Sequence, residues 1–385
     1  LSSFHDIRII LARLDALELL KEDNVSNVSS IIDIPTPNNA NWQNYGALIC
    51  PILHIYIDDS PQNVFLINHS PASEFIRHLK DTFPLSKIVF VIHDQGWCAP
   101  LYGNRETLIK VLTDKCARDF EDEAKYIRSY CEEEQRIYAL ADKVVCLTEA
   151  TRVLLSDIYK VPHNKTCLIE NGISSPFIRP FPRKDVRKEL HIPRNEHVVI
   201  FAGRPSISKG ILALLKAFSI VTTKRSNCKL VLCGTLNGLT AHSELISKVA
   251  TSIIFTGFLP KHELFRWYCA ANVGVVPSYS EQFGYAAYEM ALCGLPLVVS
   301  NGYGLTDNFH DGENCFVADI GTDVSDVDYF ANSLAKTIEI ALSAPKATIH
   351  RQCDALLNII ADKFSSQKMA TSYYQLFYGL TCTKS

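Results

Sequence analysis

Short apolar runs rich in β-branched residues recur along the chain, each ended by a glycine or polar cluster and followed by ten or more residues of amphipathic pattern. That rhythm predicts strand–helix alternation and parallel sheets, because a crossover helix must carry the chain back before the next strand can pair in parallel. In the first half the runs are DIRIILA (6–12), NVFLIN (63–68), KIVFVIH (87–93), KVVCL (143–147) and KTCLIENG (165–172). In the second half they are HVVIFAG (197–203), CKLVLCG (228–234), SIIFTGF (252–258), NVGVVPS (272–278), LPLVVS (295–300) and NCFVA (314–318). Polar alternation is missing, so both sheets are expected to be covered on both faces, as in doubly wound α/β folds.

Between the two sets lies NGISSPFIRPFPRKD (171–185), rich in Pro, Ser and Gly and without period, which reads as a linker. It divides the chain into an expected first domain, 1–172, and a second, 173–364. A charged helix is predicted over 118–142, with Tyr126, Ile127, Tyr130, Ile137 and Leu140 as its apolar stripe and its acidic run as a solvated face. The tail, SSQKMATSYYQLFYGL (365–380), predicts one more amphipathic helix within 365–385.

Composition narrows the functional classes. The 385 residues are 47% hydrophobic and 21% charged, enough for two real cores. A net charge of −3, from 38 basic and 41 acidic side chains, gives no basic field for nucleic acid, so any anion must be held by a local site. The 13 cysteines are odd in number and sit mostly inside apolar runs, which reads as buried thiols of a reducing compartment and makes a cytoplasmic chain the expectation. Neither Cys-x-x-Cys nor His-Glu-x-x-His occurs, so neither a zinc ribbon nor a metalloprotease is signalled. No run of 18 apolar residues occurs either.

Ligands of doubly wound sheets bind beyond the carboxyl ends of the strands, where the next helix begins with free N–H groups. The mouth after HVVIFAG is RPSISKG, whose Arg204 and Lys209 could neutralise a diphosphate or could be ordinary surface cations. The mouth after NVGVVPS is YSEQFGYAAYE, with Glu281 ahead of a predicted helix start at Gly284 and Glu289 about a turn and a half inside it. Carboxylates are poor neighbours for phosphate but good acceptors for sugar hydroxyls, which suits a ligand with hydroxyls at both ends and phosphate between: a nucleotide sugar. The alternative is that Glu281 caps the helix and Glu289 is solvated. His93 ends the strand KIVFVIH, where a histidine is usually structural.

The string VPSYSEQFGYAAYEMALCGLPLVVSNGYGLTDNFHDGENCFV (276–317) resembles the core of the large retaining glycosyltransferase family with the two-Rossmann (GT-B) fold. Its Glu-x7-Glu hallmark is framed here by Pro277, Ser278, Glu281, Phe283, Gly284, Glu289, Gly294 and Pro296. FAGRPSISKG resembles the family's phosphate loop, CLIENGI its domain crossover and VFVIHD its histidine strand, in the family's order. The resemblance implies that Glu289 holds the ribose, Glu281 contacts donor-sugar hydroxyls, and Arg204 and Lys209 hold the diphosphate with backbone N–H groups around Phe283, Gly284 and Tyr285. His93 would face the donor sugar from the first domain. It also implies a metal-independent hexosyl transfer with retention, no cofactor beyond the donor, and a C-terminal helix packed back on the first domain. The acceptor would be a hydroxyl of a glycan, lipid-linked sugar or peptide, compatible with peripheral membrane association. HDQGWCAPLYGN resembles a subgroup of bacterial glycosyltransferases seen beside peptide-modification genes.

One departure stands out. The family opens with a strand, a Gly-Gly loop and a helix, whereas nothing before DIRIILA fits and that strand resembles the family's second. The expectation is a first domain lacking its first strand and Gly-rich loop, by truncation or divergence. That keeps two other readings open: a non-catalytic nucleotide-sugar-binding or scaffold protein, and another GT-B enzyme such as a sugar-nucleotide epimerase. A nicotinamide dehydrogenase is disfavoured, since no Gly-x-Gly-x-x-Gly follows any strand.

Overall fold

A computed structural model of the chain describes residues 10–13, 30–33, 42–68, 72–113, 121–173, 180–235 and 242–382. The first sheet has four parallel strands: β3 (Val64–Ile67), β4 (Lys87–Val91), β5 (Lys143–Cys146) and β6 (Thr166–Leu168), in that spatial order. One face is covered by α1 (Trp42–Tyr56), α2 (Ser73–Thr82) and α4 (Glu121–Leu140), whose apolar side chains join Ile88, Phe90 and Val144 in one core. The other face, Val89, Val91, Val145 and Leu147, is covered by Met369, Tyr373, Leu376 and Phe377 of α13 (Ser366–Thr381), the last helix of the chain.

The second sheet has six parallel strands in the order β12 (Phe316–Ala318), β11 (Leu297–Ser300), β10 (Val273–Val276), β7 (His197–Ala202), β8 (Cys228–Cys233), β9 (Ile253–Gly257). Winding starts at β7, runs outward through β8 and β9, then resumes on the other side at β10. The order reverses between β7 and β10, and the strand ends splay there into a crevice. Helices α7 (Ile211–Lys224) and α11 (Val327–Ser343) bury one face; α9 (Lys261–Ala270), α10 (Tyr285–Leu292) and α12 (Lys346–Lys363) bury the other. The chain passes between the sheets twice, and the passages lie side by side: Ile173 N–H donates to Phe364 O at 2.6 Å, and Ile173 bridges Ser365.

Two expectations change. DIRIILA contributes β1 (Ile10–Arg13), but it pairs with β2 (Ser30–Asp33) in a separate two-stranded parallel sheet; the rest of residues 1–29 lies outside the described residues. No glycine precedes Gly46, so no Gly-rich loop follows that strand. In the charged helix, Tyr126 and Tyr130 are exposed and meet edge to face at 4.7 Å, while Ala124, Ile127, Cys131, Ile137 and Tyr138 are buried. The buried stripe runs one position away from the tyrosines, and Glu134 of the acidic run lies on it.

Candidate functional site

The loop after β7 turns back at once. Gly210 has φ +68°, and a Cβ there would sit 1.9 Å from Pro277 O at the end of β10, so only glycine lets the loop dock. Tyr279 N–H donates to Ser208 O at 2.9 Å, which fastens the same loop to the strand across the switch point. α7 then begins with its free N–H groups at this mouth.

Opposite it, Ser278 and Glu281 follow β10, and Gly284, with φ +82°, precedes the first residue of α10. Phe283 is buried against Tyr288 (4.7 Å between centroids) and Phe364 (5.2 Å), which fixes the turn from behind. The backbone N–H groups at the start of α10 therefore face the crevice. A cavity of about 310 Å³ opens there, lined by Lys209, Ser278, Glu281, Phe283, Gly284 and Tyr285 from the second domain and by His93, Leu147 and Asn171 from the first.

Glu281 is only 14% exposed; its Oε1 accepts from Lys209 Nζ at 2.8 Å and from Ser278 Oγ at 2.7 Å. The cation expected on the diphosphate and the acid expected on the donor sugar are thus paired with each other. Glu289, 16% exposed, accepts from Lys261 Nζ at 3.1 Å at the start of α9 and does not line the cavity. Arg204 is exposed, does not line the cavity either, and has no ion pair among the described residues. His93 Nε2 lies 3.2 Å from Asn68 Oδ1. Its ring is open to solvent on one side and walled by the cleft on the other, and that partial desolvation holds its pKa below the ordinary histidine value, so the neutral ring persists to lower pH.

Sequence reasoning missed Lys261, although it follows the strand mouth GFLP, which the same rule would have flagged. It missed Asn171 on the cavity wall and the loop 94–104 as a cross-domain element. That loop reaches the second domain: Trp97 packs on Tyr303 at 5.2 Å and Tyr102 on Tyr279 at 4.9 Å. Among the described residues no cluster of three or more His, Cys, Asp or Glu side chains could hold a metal, and no helix is long and apolar enough to cross a membrane.

The chain is similar to known proteins in sequence and in fold. Residues 182–347 match the family "Glycosyl transferases group 1". A D-inositol 3-phosphate glycosyltransferase of Acidothermus cellulolyticus is 30% identical over 247 residues, 61% of this chain and 54% of that protein. One from Thermobispora bispora is 28% identical over 257 residues, 64% of this chain and 58% of that protein. The chain thus matches a little over half the length of these relatives. Sucrose-phosphate synthase of Thermosynechococcus elongatus superposes with a TM-score of 0.71 at 20% identity, covering 91% of this chain and 83% of that one. Anabaena Alr3699/HepE, solved with UDP and glucose, superposes with a TM-score of 0.66 at 17% identity, covering 92% and 86%. The fold is GT-B, and residues 182–347 match the model of the glycosyl transferases group 1 family.

Proposed function

We propose that the protein is a retaining, metal-independent glycosyltransferase that moves a sugar from a nucleoside diphosphate sugar to a hydroxyl acceptor. The observation that carries this is the cavity at the reversal of the second sheet, where Lys209, Glu281 and the start of α10 face His93 across the cleft.

The diphosphate takes Lys209 from Glu281 and lies against the N–H groups at Gly284 and Tyr285, where the helix start contributes up to ~2 kcal/mol toward an anion. Arg204, on the same loop and without an ion pair among the described residues, turns in over the outer phosphate. Glu281, released from Lys209 but still held by Ser278, accepts hydrogen bonds from donor-sugar hydroxyls, each worth roughly 1.5–3 kcal/mol to a charged acceptor. Glu289 exchanges Lys261 for the ribose hydroxyls. Neutral His93, steadied by Asn68, faces the sugar from the first domain.

The bond between the anomeric carbon and the diphosphate oxygen breaks as the acceptor oxygen approaches on the same face. The departing oxygen takes the acceptor proton, and charge building on it is met by Lys209, Arg204 and the α10 N-terminus, the electrostatic role a metal plays elsewhere. The Anabaena complex, which holds UDP and glucose, makes UDP-glucose the first donor to try. The names of the sequence relatives point to a hydroxylated small molecule or glycan as acceptor, and the thiol-rich cores fit a cytoplasmic enzyme.

A thermal-shift panel of UDP-, GDP- and ADP-sugars identifies the donor, since ligand at 100 times its Kd adds about 2.7 kcal/mol of stability. Nucleotide release is then followed with and without hydroxyl acceptors. Acceptor-dependent release with retained anomeric configuration is expected and should survive a metal chelator. Binding without release would leave a nucleotide-sugar-binding protein, and release that needs no acceptor would point to an epimerase.

A further inference from the structure

Gln282 follows Glu281 directly and shares the cavity wall with it, yet its side-chain amide is engaged from the first domain. Its Oε1 accepts from Thr151 Oγ1 at 2.8 Å, and its Nε2 donates to Gln95 Oε1 at 3.4 Å. Gln282, Thr151 and Gln95 are buried, at 8%, 0% and 1% exposure. Thr151 lies in the first turn of α5 (Glu149–Asp157), and Gln95 lies two residues beyond His93. The Thr151 hydroxyl is saturated: it donates to Gln282, accepts from Thr148 Oγ1 at 2.9 Å, and meets Tyr303 OH at 3.3 Å. Buried polar groups are costly when unpaired, and Gln95 Nε2 already has no partner among the described residues, so breaking the Gln282 bonds would leave further buried groups unpaired.

Other contacts hold the same register. Asp307 Oδ2 accepts from Ala150 N–H at 2.9 Å, placing a carboxylate of the second domain at the N-terminus of a first-domain helix. Tyr303 packs against the first core and Tyr102 against the second, so each domain inserts an aromatic into the other. The loop segment 279–281 is in turn tied to 303, with Tyr303 N–H donating to Tyr279 O and Glu281 N–H to Tyr303 O, both at 2.9 Å.

We propose that Gln282 is a positioning residue of the transfer reaction: gripped by Thr151 and Gln95, it ties the backbone carrying Glu281 to the strand end carrying His93. The bridge sets the distance between two groups that must meet the donor sugar from opposite walls, and a misplacement of about 1 Å there costs on the order of 100-fold in rate. This inference rests on the glycosyltransferase reading above.

The test uses the full chain with Thr151→Val, which keeps shape and removes the hydroxyl, Thr151→Ser, which restores it, and Gln282→Met. UDP affinity is measured by calorimetry, turnover by UDP release from UDP-glucose with acceptor, and domain placement by small-angle scattering. The expected result is a fall in kcat of tenfold or more for Thr151→Val and Gln282→Met, UDP Kd within twofold of the parent, and near-parental kcat for Thr151→Ser. Parental kcat in both bridge-breaking variants, equal loss in Thr151→Ser and Thr151→Val, or a loss of UDP affinity in step with kcat would overturn the proposal. If the parent itself releases no UDP, the glycosyltransferase reading fails on its own, and scattering still judges the bridge. An increased radius of gyration in Thr151→Val and Gln282→Met but not Thr151→Ser sustains it, and unchanged scattering in all three refutes it.

Discussion

The two sheets of this protein are built by the same rule and differ in one respect. The four strands of the first stand in simple sequential order, β3-β4-β5-β6, while the six of the second reverse between β7 and β10. Only the reversal sends adjacent connections in opposite directions, so only the second sheet opens a crevice with two loops and two helix starts converging on it. The charged groups of the cavity, Lys209 and Glu281, come from that crevice; the first domain contributes the wall of His93, Leu147 and Asn171. Affinity is therefore expected to reside in the second domain and orientation of the reacting sugar in the first.

The largest expected effect tests whether the crevice is one rigid unit. Gly210→Ala would force a Cβ to within 1.9 Å of Pro277 O in a left-handed backbone, and should cost about 3–5 kcal/mol, read as a fall in denaturation midpoint with loss of nucleotide binding. Parental stability would mean the phosphate loop is not fastened to β10.

The next pair separates the domains directly. Glu281→Ala should lower turnover by about 100- to 1000-fold, and His93→Ala by about 100-fold, with UDP affinity changed far less by the histidine substitution. If His93→Ala instead abolishes nucleotide binding while leaving kcat intact, the division of labour between domains is reversed.

Behind the His93 wall, Glu134 Oε1 accepts from Gly96 N–H at 2.7 Å, and its other oxygen accepts from Tyr159 OH. Enclosure among Tyr159, Cys131 and Tyr138, with Asp94 nearby, pushes this carboxyl up to about 7. An unfolded glutamate titrates near ~4.3, so the folded chain holds more protons between those values. This group's contribution to stability is present at low pH and is lost as pH rises toward 7. Glu134→Gln should therefore gain about 2 kcal/mol on the parent between pH 5 and pH 8, measured by denaturant titration. A pH-independent difference would contradict the enclosure.

The smallest effect is expected at the second domain's rim. Lys261 is 66% exposed, and Lys261→Ala should change stability by less than about 1 kcal/mol. Nucleotide affinity should rise or hold, because Glu289 no longer has to leave a partner.

Much of the fold was legible because buried parallel strands write themselves as unbroken apolar runs. Val198 to Phe201 and Val273 to Val276 are buried on both faces and could be read as strands from composition alone. β2 and α1 were not recognised: a four-residue strand carries little pattern, and α1 is apolar on its exposed side as well, with Leu48, Ile55 and Tyr56 open to solvent. In the charged helix Ile127 and Ile137 are buried as the periodicity predicts, but tyrosine counts as apolar in such a pattern although Tyr126 and Tyr130 hydrogen-bond each other at the surface. At the site, loop glycines and charges marked the mouths after β7 and β10. What no local pattern carries is pairing over long separations: Lys209 with Glu281, Lys261 with Glu289, or Gln282 with Thr151, 131 positions earlier.

The exchanged tyrosines also bear on where this chain can be cut. The family match ends at 347, but Phe364 is fully buried against Phe283 and Tyr288, and Tyr303 finishes the neighbouring core rather than its own. A fragment trimmed to the matched segment would carry the signature residues yet expose the aromatics that brace them. The unit recognised by descent and the unit that folds are different lengths of the same polypeptide, and heating the intact chain should melt both sheets in a single calorimetric transition.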